Sequence, residues 1–269
     1  MRNIPKKEPT VLHHYDEHHL PVSATIIVPM IMELYSKKMG HKIESVIDIG
    51  CGLGQWLYVF KKEGVSDVVG IDGEHLLSEK QYISANEGEF IPINLLNCNE
   101  LHPLHTYDLA ISLEVGEHLP DSIANDYVSL LTRCSDTILF SAAIPNQTGE
   151  NHINEQFHQY WFDKFIEQGY YMLDIIRPII WNNNVINWWY RQNMFLCVKR
   201  DSPFFDERCI FDGRQLVHPE LLLMYVHMLD SICEKSSSPN NRNVIQTFAK
   251  KIYGYIHNCF NIKKSILEK

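Results

Sequence analysis

The sequence predicts an α/β protein with a doubly wound, mostly parallel sheet, and three observations carry that prediction. Val46-Ile47-Asp48-Ile49 is apolar and β-branched, the pattern of a strand covered on both faces. It breaks at once into Gly50-Cys51-Gly52-Leu53-Gly54, three glycines at alternate positions. Strand and helix patterns then alternate with short connections, which implies right-handed crossovers between parallel strands.

Taken in order, residues 23–39 have a helical pattern, with Pro29 expected to kink it and Gly40 a natural stop. The first strand is expected at 44–49 and its helix at 54–63, where Trp56, Leu57, Val59 and Phe60 make an apolar stripe. A second strand over 67–71 leads into Asp72, and a short third, Glu89 to Ile93, is interrupted by Pro92. Tyr107 to Leu113 is the fourth strand, 122–133 the next helix and Thr137 to Ala142 the fifth strand. A long polar loop, 143–157, precedes an amphipathic helix over 159–168 and a strand over 170–176. Residues 181–191 are irregular and rich in aromatics and asparagines. Residues 193–199 form a last strand, expected reversed and at the sheet edge. Beyond Lys199 the alternation stops: a helix near 220–232, a Ser/Pro/Asn linker over 236–242 and a final helix near 244–260 follow. The expected division is a helical cover (1–40), a sheet domain (41–200) and a helical appendage (201–269).

The glycine turn has a chemical reading. Glycines at a strand end allow a tight turn and let a ligand approach the backbone without a Cβ in the way. Asp72 follows Gly50 by 22 residues, a spacing that suits an acid gripping ribose hydroxyls at the carboxyl edge of the sheet. A dinucleotide fingerprint would need a glycine where Gln55 stands. The run Asp48-x-Gly50-x-Gly52-x-Gly54 instead resembles the first motif of the class I, Rossmann-like, S-adenosylmethionine (SAM) dependent methyltransferases. The ligand's charge explains the difference: a pyrophosphate is an anion, whereas SAM carries a cationic ammonium and sulfonium, so an acid near the turn is favourable.

The resemblance covers about residues 44–200. Glu89 to Leu95 looks like the third strand of that family, with Asn94 standing where an acid usually borders the adenine; its side-chain carbonyl can still accept from the adenine amino group. Residues 107–120 are similar to the family's fourth-strand motif, ending Glu114-Val115-Gly116-Glu117-His118. The resemblance implies seven strands. It also implies cofactor contacts from Asp48, Gly50, Cys51, Gly52, Gly54, Asp72, Gly73, Asn94, Leu95, Leu113 and Glu114. Residues 143–161 resemble a stretch of bacterial methyltransferases encoded with glycan and natural-product pathways.

Ligands of open α/β sheets lie outside the carboxyl ends of the strands, so Glu114, Glu117 and His118 should reach the cofactor cleft. An alcohol acceptor needs a base; His118, its basicity raised by Glu117, is the first candidate and His152 in the polar loop the second. Alternatively, Glu117 and His118 only cap the following helix, and His152 is an incidental loop residue. The loop's Asn, Gln, His and Glu suit a poly-hydroxyl or otherwise polar substrate.

Composition narrows the partners. The net charge of −9 argues against a broad grip on nucleic acid. Seven scattered cysteines without a CxxC suit reduced thiols in the cytoplasm. Residues 1–10 are polar with two prolines, so no signal peptide is expected, and the apolar run 26–34 is too short to span a bilayer. The segment His13-His14-Tyr15-Asp16-Glu17-His18-His19 is a metal ligand set, a lid over the cofactor or a solvated arm; with no HExxH and no third ligand at a recognisable spacing, no metal is expected. Trp181, Trp188, Trp189 and Tyr190 either stack on substrate or pack in the core or against another subunit. The resulting expectation is a SAM-dependent O-methyltransferase for a sugar-like or phosphorylated small acceptor, possible as a homodimer. An N-methyltransferase, a nucleotide or RNA methyltransferase, or a non-catalytic SAM-fold subunit are the alternatives.

Overall fold

All seven expected strands occur in the computed structural model, which describes residues 21–79, 81–103 and 105–235. They are β1 (Ser45–Ile49), β2 (Asp67–Asp72), β3 (Phe90–Pro92), β4 (Leu109–Leu113), β5 (Thr137–Ser141), β6 (Tyr170–Leu173) and β7 (Phe195–Lys199). One sheet holds them in the order β3-β2-β1-β4-β5-β7-β6. β1 pairs parallel with both β2 and β4, so the strand order reverses direction there, and a crevice opens at the carboxyl ends.

Side chains alternate across the sheet, as the pleat requires. Val46, Leu109, Ile111 and Leu139 share one core with α1 (Val22–Met39) and α2 (Gln55–Lys62). Ile47, Ala110, Ile138 and Phe140 share the other with α3 (Ala124–Cys134) and α4 (His158–Glu167). On α1 the buried stripe Ala24, Ile27, Val28, Ile31 and Tyr35 recurs every three to four residues. Gly40 ends that helix in the left-handed region, its amide donating to the Ser36 carbonyl at 3.0 Å.

Three expectations are corrected. β7 is reversed, but it is interior: it pairs antiparallel with β5 on one side and β6 on the other, leaving β3 and β6 as the edges. Its run Phe195 to Val198 is wholly buried, as a strand covered on both faces must be. The β2–β3 and β3–β4 connections, for which the sequence pattern names no helix, carry 3₁₀ turns (Glu74–Ser78, Ala85–Glu87, Leu95–Glu100). β6 ends at Leu173 because Asp174 turns aside to pair with the buried Arg177, which opens the short α5 (Arg177–Ile180). The stretch expected to be irregular also contains α6 (Trp188–Asn193).

The chain forms two compact units, the first ending at Gln215 and the second starting at Leu216 with α7 (Pro219–Lys235). Residues just after β7 still belong to the first, where Phe204 and Phe211 enter the two cores. The His13–His19 segment, the 236–242 linker and the helix expected near 244–260 lie outside the described residues. No helix among the described residues is long and apolar enough to cross a membrane.

Candidate active site

The strand-end crevice has a glycine-built side. Gly50 has φ +83°, and its amide and that of Cys51 both donate to the Ile71 carbonyl, at 2.8 and 3.2 Å. Asp72 fixes the same turn from β2: one carboxylate oxygen accepts from the Gly52 amide at 2.8 Å, the other from the Gly73 amide at 2.7 Å. A carboxylate has roughly four acceptor positions, so two remain for a ligand's hydroxyls. The glycines also serve the protein's own packing. A Cβ on Gly50 would lie 2.4 Å from a Val115 methyl, and one on Gly54 would lie 2.5 Å from Ile83. Beneath the turn Asp48 is 2 % exposed, and burial followed by the nearby Asp72 raises its carboxyl well above the ordinary range. Cys51 is buried as well; burial first, then Asp48 and Asp72, push its thiol up, so it is no nucleophile.

The opposite side, at the ends of β4 and β5, is built from side chains. Glu114 sits at φ +58°, its amide held by the Ser141 carbonyl at 2.9 Å and hydroxyl at 3.1 Å. Its carboxylate accepts from Gln147 at 2.6 Å and from the Asn193 amide nitrogen at 3.2 Å. The Gln147 carbonyl oxygen accepts in turn from Asn193 at 2.8 Å and Gln192 at 3.2 Å. Burial raises the Glu114 carboxyl, while donors from Ser141, Asn193 and Gln147 pull it back. His158 closes the network with a 3.1 Å bond from Nε2 to the Asn193 side-chain oxygen. Burial, and then Arg177, lower its pKa to about 3, so it is a neutral structural donor.

Beside this network the chain returns on itself. Gly116 packs against Trp161 with no room for a side chain, in the short turn Gly116–His118. The Glu117 carbonyl accepts from the Ile153 and Asn154 amides at 2.9 and 3.0 Å, which draws the 143–157 loop back over that turn. His118 and His152, separate candidates in the sequence, thereby meet with ring centroids 4.8 Å apart. His152 Nδ1 lies 2.8 Å from a Glu155 oxygen, and Glu155 also accepts from the Asn146 and Thr148 amides at 2.7 and 2.9 Å. Asn146, Thr148 and Asn151 all adopt positive φ; for a β-branched threonine this is a strained conformation of the kind that clusters at functional sites. Glu117 is fully buried, and burial, then Glu114, lift its carboxyl well above the usual range.

The remaining expected residues have distinct placements. Asn94 is exposed, and its side-chain oxygen accepts from the Leu96 amide at 3.0 Å, capping the following turn. Leu95 and Leu113 are buried at the strand ends. Tyr190 stacks edge-on against Trp56 at 5.2 Å, while Trp188 and Trp189 pack on each other. Gln147, Glu155, His158, Gln192 and Asn193 were not singled out by the sequence; the polar density of the 143–157 loop was the one available signal.

The residues present fit a cationic cofactor: Asp72 keeps acceptor positions open beside the glycine turn, and Glu114 places a second acid just past the end of β4. A family model described as methyltransferase domain matches residues 30–174, just over half of the chain. The chain belongs to that family, the SAM-dependent methyltransferases of class I fold, and SAM is its cofactor. A tRNA U34 carboxymethyltransferase of Shewanella woodyi is 39% identical over 77 residues, 28% of this chain and 23% of the relative. One from Alteromonas mediterranea is 30% identical over 93 residues, 31% and 27% of the two chains. The chain thus matches about a quarter of the length of these relatives. Among solved structures, a plantazolicin methyltransferase in complex with SAH is 16% identical, with a TM-score of 0.49 over 69% of this chain and 88% of the other. Magnesium protoporphyrin IX methyltransferase from Synechocystis PCC 6803, with bound SAM, is 16% identical with a TM-score of 0.45 over 66% and 80%.

Proposed function

We propose that this methyltransferase transfers its methyl group to a hydroxyl of a small polar acceptor: a sugar, a sugar phosphate or a related surface-glycan precursor. The observation that carries the reading is the meeting of His118 and His152 at 4.8 Å beside the buried Glu117, at the carboxyl ends of the strands where the glycine turn and Asp72 lie. SAM, when bound, supplies a methyl carbon on a sulfonium whose carbon–sulfur bond breaks with the electron pair going to sulfur. The turn 50–54, Asp72 and Glu114 would hold it.

The chain's own residues then have two tasks. The first is position: methyl transfer is an in-line displacement, and orienting the hydroxyl supplies much of the acceleration. The polar 143–157 loop, pinned by Glu155 and by the Glu117 carbonyl, is the wall that would do it. The second is the proton. As the acceptor oxygen's lone pair forms the new carbon–oxygen bond, its hydrogen must go to a base. The Glu155 contact favours His152 over His118, because a carboxylate holding Nδ1–H leaves Nε2 as the free lone pair. Free thiols at Cys51, Cys98, Cys134, Cys197 and Cys209 suit a reducing cytoplasm.

A second reading, a nucleotide or RNA acceptor, is favoured by the similarity to tRNA carboxymethyltransferases. The net charge of −9 weighs against it. Mass spectrometry of reactions with SAM and a panel of nucleotide-linked sugars, sugar phosphates, phosphorylated metabolites and tRNA separates the two. A sugar product heavier by one methylene unit is expected; methylation confined to tRNA or to a nitrogen acceptor would overturn the proposal.

A further inference from the structure

We infer that Glu117, His118 and His152 form a binding site for one divalent transition-metal cation, at the place where the acceptor is proposed to bind. Each of the three residues offers a ligand atom, and these atoms all lie within 4.8 Å of one another. Metal bonds of ~2.1 Å bring ligand atoms to roughly 3–4 Å apart, so small side-chain rotations complete the set. The sequence hid this site because His152 lies 34 residues beyond His118.

Three independent features point to a cation. Glu117 is wholly buried, and neither carboxylate oxygen has a hydrogen-bond partner among the described residues. The amides of Glu117 and Ala143 ease its charge without making a bond of good geometry. A buried carboxylate left in that state is unfavourable, and a cation offsets that directly. His152, second, already has the outer partner that metal-bound histidines carry: Glu155 at 2.8 Å on Nδ1 fixes the ring and leaves Nε2 to ligate. Third, the loop that delivers His152 is held by two amide bonds to the carbonyl of Glu117 itself, so one ligand's backbone positions another ligand.

The donor set defines the class of ion. Two imidazoles and one carboxylate suit Mn²⁺, Fe²⁺, Co²⁺ or Zn²⁺ better than Mg²⁺ or Ca²⁺, which prefer all-oxygen shells. Three protein ligands leave positions open. With the ion bound, His152 Nε2 would be a ligand and not the base; the open positions would take an acceptor hydroxyl or phosphate oxygen, the cation lowering the hydroxyl's pKa so that its proton could pass to solvent. This consequence rests on the proposed methyl transfer to a polar acceptor; cation binding does not.

The test is Mn²⁺ binding by the full-length, chelator-stripped chain, followed by loss of the free-ion electron paramagnetic resonance signal. One equivalent per chain is expected. Glu117→Gln and His152→Ala should each weaken binding by on the order of tenfold or more, with circular dichroism melting and SAM titration showing that the variants are folded. A His14→Ala/His18→Ala double variant should bind as the wild type does. No saturable binding by wild-type protein overturns the site. So does binding that survives in both single variants, or that is lost in the His14/His18 variant instead. Stoichiometric Mn²⁺ binding without methylation of any sugar would leave the site standing and refute the acceptor.

Discussion

The two sides of the strand-end crevice are made of different material. On the β1–β2 side the surface is backbone: a glycine turn in the left-handed region, its amides tied to the Ile71 carbonyl and to Asp72. On the β4–β5 side it is side chain: Glu114, Gln147, Gln192, Asn193 and His158 in one buried network, with Glu117, His118 and His152 next to it. The first side is specified by nine consecutive residues, Val46 to Gly54, and one strand-ending acid. The second needs three segments far apart in sequence (114–118, 147–158 and 192–193), so each member depends on tertiary structure for its place. A backbone-built site therefore suits a ligand common to a whole family, and a side-chain-built site can be re-specified one residue at a time for an individual acceptor.

If this division holds, damage on one side should leave the other working. The largest effect is expected from His152→Ala: turnover at saturating SAM should fall by on the order of 10²–10⁴, while calorimetry shows SAM affinity unchanged within a factor of about two. Comparable loss of SAM affinity would show that the two sides are one site.

Gly50→Val attacks the backbone side and should strike folding and cofactor together. The left-handed conformation and the overlap with Val115 add to about 2–5 kcal/mol, read as a lowered midpoint in urea unfolding. A variant of wild-type stability would show that the turn relaxes more freely than its packing implies.

The buried network should announce itself through pH. His158 has its pKa lowered to about 3 in the folded chain, against about 6.5 unfolded. Between those values the unfolded state binds more protons, so this residue's contribution is intact above about pH 6.5 and is lost as pH falls toward 3. Urea unfolding at pH 7 and at pH 4.5 should differ by about 2–3 kcal/mol more in wild type than in His158→Gln. Equal pH slopes would place His158 in contact with solvent.

How far the sequence reveals each side follows from the same contrast. The apolar strands, the glycine turn and Asp72 are visible because their causes are local: β-branched runs, backbone conformations that exclude a Cβ, and a fixed crossover length. The position of β7 is not local, since whether a strand lies inside or at the edge depends on where the next chain segment pairs; Phe195 to Val198 would have hinted at it by being apolar at every position. The 3₁₀ connectors between β2 and β4 follow from residues 73–106 having no sustained helical stripe. His118 and His152 were each recognisable as polar groups near strand ends. Their meeting was not, because it rests on two amide bonds to the Glu117 carbonyl. Asn193 and Gln192 lie in a short helix with no periodic signal, and nothing in their spacing ties them to Glu114.

The independence of the two sides is tested most directly by titrating SAM calorimetrically into the full-length wild type, Asp72→Ala and His152→Ala. Asp72 links β2 to the glycine turn through the Gly52 amide, and it keeps acceptor positions for a ribose. Its loss should cost about 1–3 kcal/mol, roughly 5- to 150-fold in Kd. The wild type should bind in the micromolar range, Asp72→Ala weaker by that factor, and His152→Ala as the wild type does. Failure of folded wild type to bind SAM, or an equal loss in both variants, would contradict the account.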